Sequence, residues 1–216
     1  MTSLLDPADQ QYNGFETVGS GLGFTLRQAT SRSARSFLHD FIQCQFSHHY
    51  QAEVPDDTNR LLGVFDEAGE LVAAFGLRSA EEGLFSQCYL EDELSDILAR
   101  ELERPVPATE IVELNHLSVT GPRTFRALVP LIAEMLWQAG YRYLICTATG
   151  CLIRYFSRYQ LAPKVLAQAS RFRLPADSRD CWGSYYESEP AVVFGMLEQA
   201  RDRLAGTMLE PAVVAA

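Results

Sequence analysis

The sequence predicts an α/β (α+β) domain built on one mixed sheet with helices on both faces. Strand-like segments, apolar at alternate positions or continuously, take turns with segments of helical period along most of the chain. A Glu67-Ala68-Gly69 turn flanked by two apolar runs reads as a hairpin. A chain of 216 residues, 47% of them hydrophobic, can bury one sizeable core. No internal repeat and no low-complexity linker divides it.

The elements follow in order. Residues 1–20 are polar and punctuated by glycine, and are expected to be loosely ordered ahead of a single domain over 21–205. GFTLRQAT (23–30) alternates well enough for a first strand. Thr30 or Ser31 then caps a helix running to about His49, with Phe37, Phe41, Ile42 and Phe46 at helical spacing. RLLGVFD (60–66) and ELVAAFGLRSA (70–80) form the hairpin. DELSDILARELE (92–103) carries a stripe of Leu94, Ile97, Leu98 and Leu102 and is ended by Pro105 and Pro107. EIVELNHLSVTG (110–121) reads as a strand and RTFRALVPLIAEMLWQAG (123–140) as a helix closed by Gly140. YRYLICTAT (141–149) is a strand, GCLIRYFSRYQL (150–161) a helix, and VLAQASRFRL (165–174) strand-like. AVVFGMLEQARDRLAG (191–206) reads as a final helix, with 206–216 a frayed tail.

The formal charge of −10 argues against nucleic acid and anionic membrane as partners, because phosphate binding wants a basic face. No apolar run approaches the roughly 20 residues needed to span a bilayer, so membrane insertion is not expected. The first fifteen residues lack a basic n-region and an apolar h-region, which predicts a cytoplasmic protein. Five cysteines (Cys44, Cys88, Cys146, Cys151, Cys181) without a CxxC pair fit reduced thiols packed as small hydrophobes. No His or Cys group shows zinc-site spacing, and no metal is expected.

Glu113 is the chemical oddity. Ile111, Val112, Leu114, Leu117 and Val119 put apolar groups on both faces of its strand, an expensive place for a carboxylate. A buried carboxyl has its pKa pushed up, which suits a general base near neutral pH. The alternative is a structural carboxylate held by a backbone N–H or by an arginine such as Arg78. On a regular strand Glu113 and Asn115 share a face while His116 points the other way. Cooperation between Glu113 and His116 therefore requires a bulge.

Five pieces carry a family resemblance: GLRSA (76–80), LFSQCYLEDEL (84–94), EIVELNHLSV (110–119), CTATGCLIRYFSRYQLAP (146–163) and WGSYYESEP (182–190). With their spacing they cover roughly residues 25–200 and resemble the thermostable hemolysin family, a GNAT-like fold related in pattern to the acyl-homoserine-lactone synthases. Two departures are visible: Asn115-His116 stands where the family has Gly-Asn, and SQCYLE where it has an LEQYLD-like string. A lytic protein needs an amphipathic or spanning element. Residues 189–206 instead carry Glu198, Arg201, Asp202 and Arg203 on their polar positions, as an ordinary surface helix does.

The resemblance implies acyl transfer from a phosphopantetheine thioester, on acyl carrier protein or coenzyme A, to a small amine or amino acid. It places a splay between strands 110–119 and 141–149, where the pantetheine arm pairs like a strand. Glu113 matches the glutamate of the lactone synthases proposed to help activate the amine, and His116 falls at their arginine. Thr120, Gly121, Arg123 and Arg126 fall where a GNAT enzyme binds pyrophosphate at a helix N-terminus. The signature Q/R-x-x-G-x-G/A is absent there, which tilts the donor toward a carrier protein. Arg154, Arg158, Lys164, Arg171 and Arg173 could form its docking patch, or be solvated surface residues. Tyr155 stands where such enzymes protonate the leaving thiolate, although with Tyr159 it also fits a core pair. Arg78, Asn115, Trp182, Tyr185 and Tyr186 are the expected substrate contacts, the aromatics lining an acyl pocket or packing the sheet. Two rival readings are a non-enzymatic module binding an acylated carrier and the membrane-active toxin of the family name.

Overall fold

In the computed structural model, which describes residues 13–209, eight strands form a single sheet. They are β1 (Phe15–Gly21), β2 (Phe24–Ala29), β3 (Arg60–Phe65), β4 (Leu71–Ser79), β5 (Ile111–Val119), β6 (Tyr143–Ala148), β7 (Lys164–Gln168) and β8 (Ala191–Met196). Their spatial order is β1-β2-β3-β4-β5-β6-β8-β7, and only β5 and β6 run parallel. The helices are α1 (Arg32–Tyr50), α2 (Leu94–Leu102), α3 (Pro122–Gln138), α4 (Gly150–Arg158) and α5 (Leu197–Leu209).

The sheet separates two cores, as the both-faces prediction requires. On one side Leu38, Ile42 and Phe46 of α1 and Leu94 and Leu98 of α2 pack on Ile111, Ile145 and Phe194. On the other, Leu128, Ile132 and Leu136 of α3 pack with Leu197 on Val112, Leu114 and Val193. Alternate residues of β5 thus enter alternate cores, which is why the strand is apolar on both faces.

Two stretches differ from expectation. Phe15–Gly21, expected to be loosely ordered, is an edge strand paired antiparallel with β2. Residues 1–12 of the expected flexible segment, and 210–216 of the expected tail, lie outside the described residues. Residues 191–196, expected to open the last helix, form β8, inserted between β6 and β7. The β-branched pair Val192-Val193 and Phe194 fit a pleated surface buried on both sides, and all three are buried. Helix begins only at Leu197.

Side chains on one stripe of α1 hold the loop that follows it. Gln43 donates to the Ala52 carbonyl at 2.8 Å and accepts from the Val54 N–H at 2.8 Å. His39 reaches the Val54 carbonyl at 3.0 Å, and Arg35 reaches Asp56 at 3.2 Å and also the Thr58 carbonyl. Ser31 caps the helix, accepting from the Ala34 N–H at 3.1 Å.

Gly183 closes the other side of this region. The Glu53 N–H donates to the Cys181 carbonyl at 2.6 Å, and the Ser184 N–H to the Tyr50 carbonyl at 2.8 Å. Between them Gly183 has φ +49°, and a Cβ there would lie 2.0 Å from the Tyr50 carbonyl oxygen. We expect Gly183→Ala to lower the unfolding free energy by more than the roughly 1 kcal/mol of an average substitution. Urea denaturation measures this, and an unchanged midpoint would contradict the close approach.

Candidate active site

β5 and β6 pair at Ile111 with Tyr143, Val112 with Leu144 and Glu113 with Ile145, and pair no further. Beyond Glu113 β5 stays with β4, while β6 stays with β8. The strands therefore splay as the family pattern implies, and a cleft of about 540 Å³ opens between them.

A bulge shapes its wall. Gly76 of β4 faces Asn115 and Ala74 faces Ser118, so Phe75 alone opposes His116 and Leu117. His116 takes φ +52°, a left-handed conformation unusual for a residue with a side chain. Its ring consequently lies on the Glu113 side of the sheet, 6.0 Å from the rings of both Phe46 and Trp182. Burial, outweighing the nearby Asp57, pushes its pKa well below the usual value, so the ring is neutral at pH 7.

Glu113 is 1% exposed. One carboxylate oxygen accepts from the Phe85 N–H at 2.7 Å and the other from the Ser86 N–H at 2.9 Å. Burial raises its pKa, opposed by the Ser86 and Phe85 bonds and by the charge of Arg78. The carboxylate thus secures the 85–86 segment, as the structural alternative required, while lining the cleft. Arg78 is not its hydrogen-bond partner. The Arg78 guanidinium donates to the Asp57 carbonyl at 2.6 Å and lies 3.4 Å from the Asp57 carboxylate, and it is not part of the cleft wall.

The remaining expected residues divide. Asn115, Thr120, Gly121, Tyr155, Trp182, Tyr185 and Tyr186 all line the cleft. Gly121 caps α3 in extended backbone, φ −178°, with no side-chain cap, and Pro122, which has no N–H, opens the helix. Arg126 is exposed one turn on, and the side chain of Arg123 lies outside the described residues. Tyr155 packs edge-on to Phe125 at 4.2 Å and leans on Tyr159 at 4.7 Å. Its hydroxyl is buried with no hydrogen-bond partner among the described residues, and burial raises its pKa.

Sequence reasoning passed over several of the cleft's residues. Phe46, Tyr50, Phe85 and Tyr89 join Trp182, Tyr185 and Tyr186 in one aromatic wall, with the Tyr89 and Tyr186 hydroxyls 2.5 Å apart. The helical stripe of α1 included Phe46; Phe85 and Tyr89 stood only within the LFSQCYLEDEL family piece, and Tyr50 was not singled out. Cys146, on the cleft wall, has its thiol pushed up to about 12 by burial and is no thiolate at neutral pH. Cys44 and Cys151, expected to pack as small hydrophobes, are exposed. Of the expected basic patch, Lys164 pairs with Glu101, Arg171 with Asp180 and Arg173 with Glu91. Arg154 and Arg158 remain exposed on α4. Among the described residues no group of three metal-ligating side chains occurs, and no helix is long and apolar enough to cross a membrane.

The chain belongs to the thermostable hemolysin family, whose model matches residues 28–201. Its GNAT-like fold is shared with solved structures of low identity. One is FeeM, an N-acyl amino acid synthase from uncultured soil microbes, at a TM-score of 0.57 and 10% identity over 86% of this chain and 97% of that one. Apo TofI gives 0.55 and 18% over 91% and 98%, and the acyl-homoserine-lactone synthase LasI gives 0.55 and 11% over 87% and 96%. No curated protein matches the sequence.

The raised pKa of Glu113 sets a sign for stability against pH. The folded state binds the proton more tightly than the unfolded state, whose carboxyl titrates near 4.5. Its stabilising contribution is full below that value and is lost as pH rises through the folded-state pKa. Urea midpoints from pH 4 upward should therefore fall with pH more steeply for the parent than for Glu113→Gln. A parent that gains stability over the variant as pH rises would mean that the two amide bonds outweigh burial.

Proposed function

We propose that the protein is an N-acyltransferase that moves an acyl group from a phosphopantetheine thioester to a small amine or amino-acid acceptor. The parting of β5 and β6 after Glu113 carries this reading. Strand backbone facing a gap offers N–H and C=O groups at strand spacing, and a pantetheine arm presents amides of the same kind. FeeM is an N-acyl amino acid synthase and LasI an acyl-homoserine-lactone synthase, both on this fold, which agrees with the reading.

The cleft supplies the other requirements. At one end Thr120 and Gly121 present the uncapped N-terminus of α3 to a phosphate, with Arg126 adding charge nearby. A single phosphate, as on a carrier-protein arm, needs no more than this, and coenzyme A would place its pyrophosphate at the same turn. Through the splay the cleft shares Leu114, Leu117, Phe125, Cys146 and Leu152 with a second, apolar cavity of about 100 Å³ beneath α3 and α4. We assign the acyl chain to that cavity. The aromatic wall on the α1 side, with Glu113 and His116, is left for the acceptor. Glu113 contributes a buried carboxyl where the amine arrives, and Tyr155 a buried hydroxyl near the departing sulfur.

The test is release of free thiol from acyl-CoA and acyl-pantetheine phosphate in the presence of a panel of amines and amino acids. Amine-dependent release, with the acyl group recovered on the acceptor, is the expected result. No amine-dependent release with any donor would overturn the reading. Arg126→Ala should weaken donor binding at low salt, and the loss should shrink as ionic strength rises. Equal affinity of parent and variant at low salt would remove Arg126 from the phosphate site.

A further inference from the structure

Thr58 stands in no motif, yet its side chain meets both polar residues of the bulge. It is 2% exposed, in the loop held to α1 by Arg35, His39 and Gln43. Its hydroxyl donates to Asn115 Oδ1 at 3.0 Å and lies 3.4 Å from His116 Nδ1. A threonine hydroxyl has one hydrogen. With that hydrogen on Asn115, Thr58 can only accept from the imidazole, so Nδ1 carries the ring proton. Nε2 is then bare. It makes no hydrogen bond with the described residues, and the ring lines the cleft.

Two further features fit a built arrangement. Position 76, across the strand pair from Asn115, has no side chain. A Cβ there would come within 2.0 Å of Asn115 Oδ1 and 2.4 Å of Thr58 Cγ2, so glycine makes room for the Thr58–Asn115 contact. The left-handed backbone of His116 costs of order 1–3 kcal/mol, a strain that persists where surrounding structure enforces it.

We propose that Thr58, Asn115 and His116 form a proton-accepting device in which Thr58 fixes the imidazole as its Nδ1–H tautomer and bare Nε2 takes the proton of the acceptor amine. Each Glu113 oxygen commits one lone pair to a backbone N–H, whereas the lone pair of Nε2 is committed to none of the described residues. The substrate in this assignment rests on the acyl-transfer reading. The tautomer does not. In the step, the amine lone pair forms the C–N bond as its proton passes to Nε2. The C–S bond then breaks with its electron pair on sulfur. The thiolate takes a proton from solvent, and the imidazolium returns one to solvent. His116 touches the acceptor, while Thr58 is a positioning residue acting through it. The charged and titratable groups bearing on the ring are Asp56, Asp57, His39 and Arg78.

The chain has four histidines, so long-range ¹H–¹⁵N correlation on ¹⁵N-labelled full-length protein, assigned with His116→Gln, resolves each ring. The parent should show a protonated Nδ1 and a bare Nε2 at His116. Thr58→Val, nearly isosteric, should populate the Nε2–H form and lower kcat for amine-dependent thiol release by roughly 10²-fold, with KM for the thioester unchanged. Thr58→Ser should restore tautomer and turnover together. An Nε2–H ring in the parent, or Thr58→Val with parental tautomer and kcat, would overturn the proposal. Should Thr58→Val fail to fold, the parent's tautomer and Thr58→Ser still decide it. Absence of thiol release in the parent would count against acyl transfer alone, since the ring spectrum is read without turnover.

Discussion

The parallel pairing of β5 with β6 stops at Glu113 and Ile145, and the candidate site depends on where it stops. Buried backbone N–H and C=O groups need partners. Each strand keeps one outer neighbour, β4 or β8, and loses the inner one. Beyond that point the groups facing the gap can be met by amides at strand spacing or by water. The same divergence sets α3 and α4 apart at the ends of the two strands, so that Gly121 and Thr149 face one mouth.

At the last paired residue, opposing terms meet. Burial of Glu113 disfavours its charge, while two backbone N–H groups and the neighbouring Arg78 favour it. Burial prevails and the pKa rises, yet the two N–H hydrogen bonds hold the segment that carries Phe85 and leads to Tyr89 in the aromatic wall. One residue thus links the end of strand pairing to the shape of the pocket. Three residues on, the bulge brings His116 back to the same face. Without it, regular alternation would bury the imidazole under α3 instead.

Local pattern made much of this legible and long-range contact made the rest invisible. The stripe of α1, the hairpin, the doubly apolar β5 and the Gly140 stop all follow from periodicity and turn chemistry, because each is decided within a few residues. β8 was hidden because AVVFG runs without a break into the amphipathic LEQARDRL, so one helical period seemed to cover both. β1 is polar and half-exposed at the sheet edge, and its pairing with β2 gives no hydrophobic signal. The need for a bulge was readable from the parity of Glu113 and His116, but its position was not. Thr58 was beyond reach, since its meaning comes from residues 57 and 58 positions away in the chain. The pairing of Arg78 was hidden for a similar reason: Asp57, its partner, is brought to it by the loop after α1.

Amide hydrogen exchange with a non-transferable acyl-pantetheine phosphate thioether addresses the splayed gap itself. Amides of β5 beyond Glu113 that face β6, together with those of 146–148, should exchange more slowly when the analogue is bound. Those of β5 that already pair with β4 should not change. Binding that leaves residues 114–119 and 146–148 unaltered, with protection confined to the aromatic wall around 185–188, would contradict an arm laid between the strands.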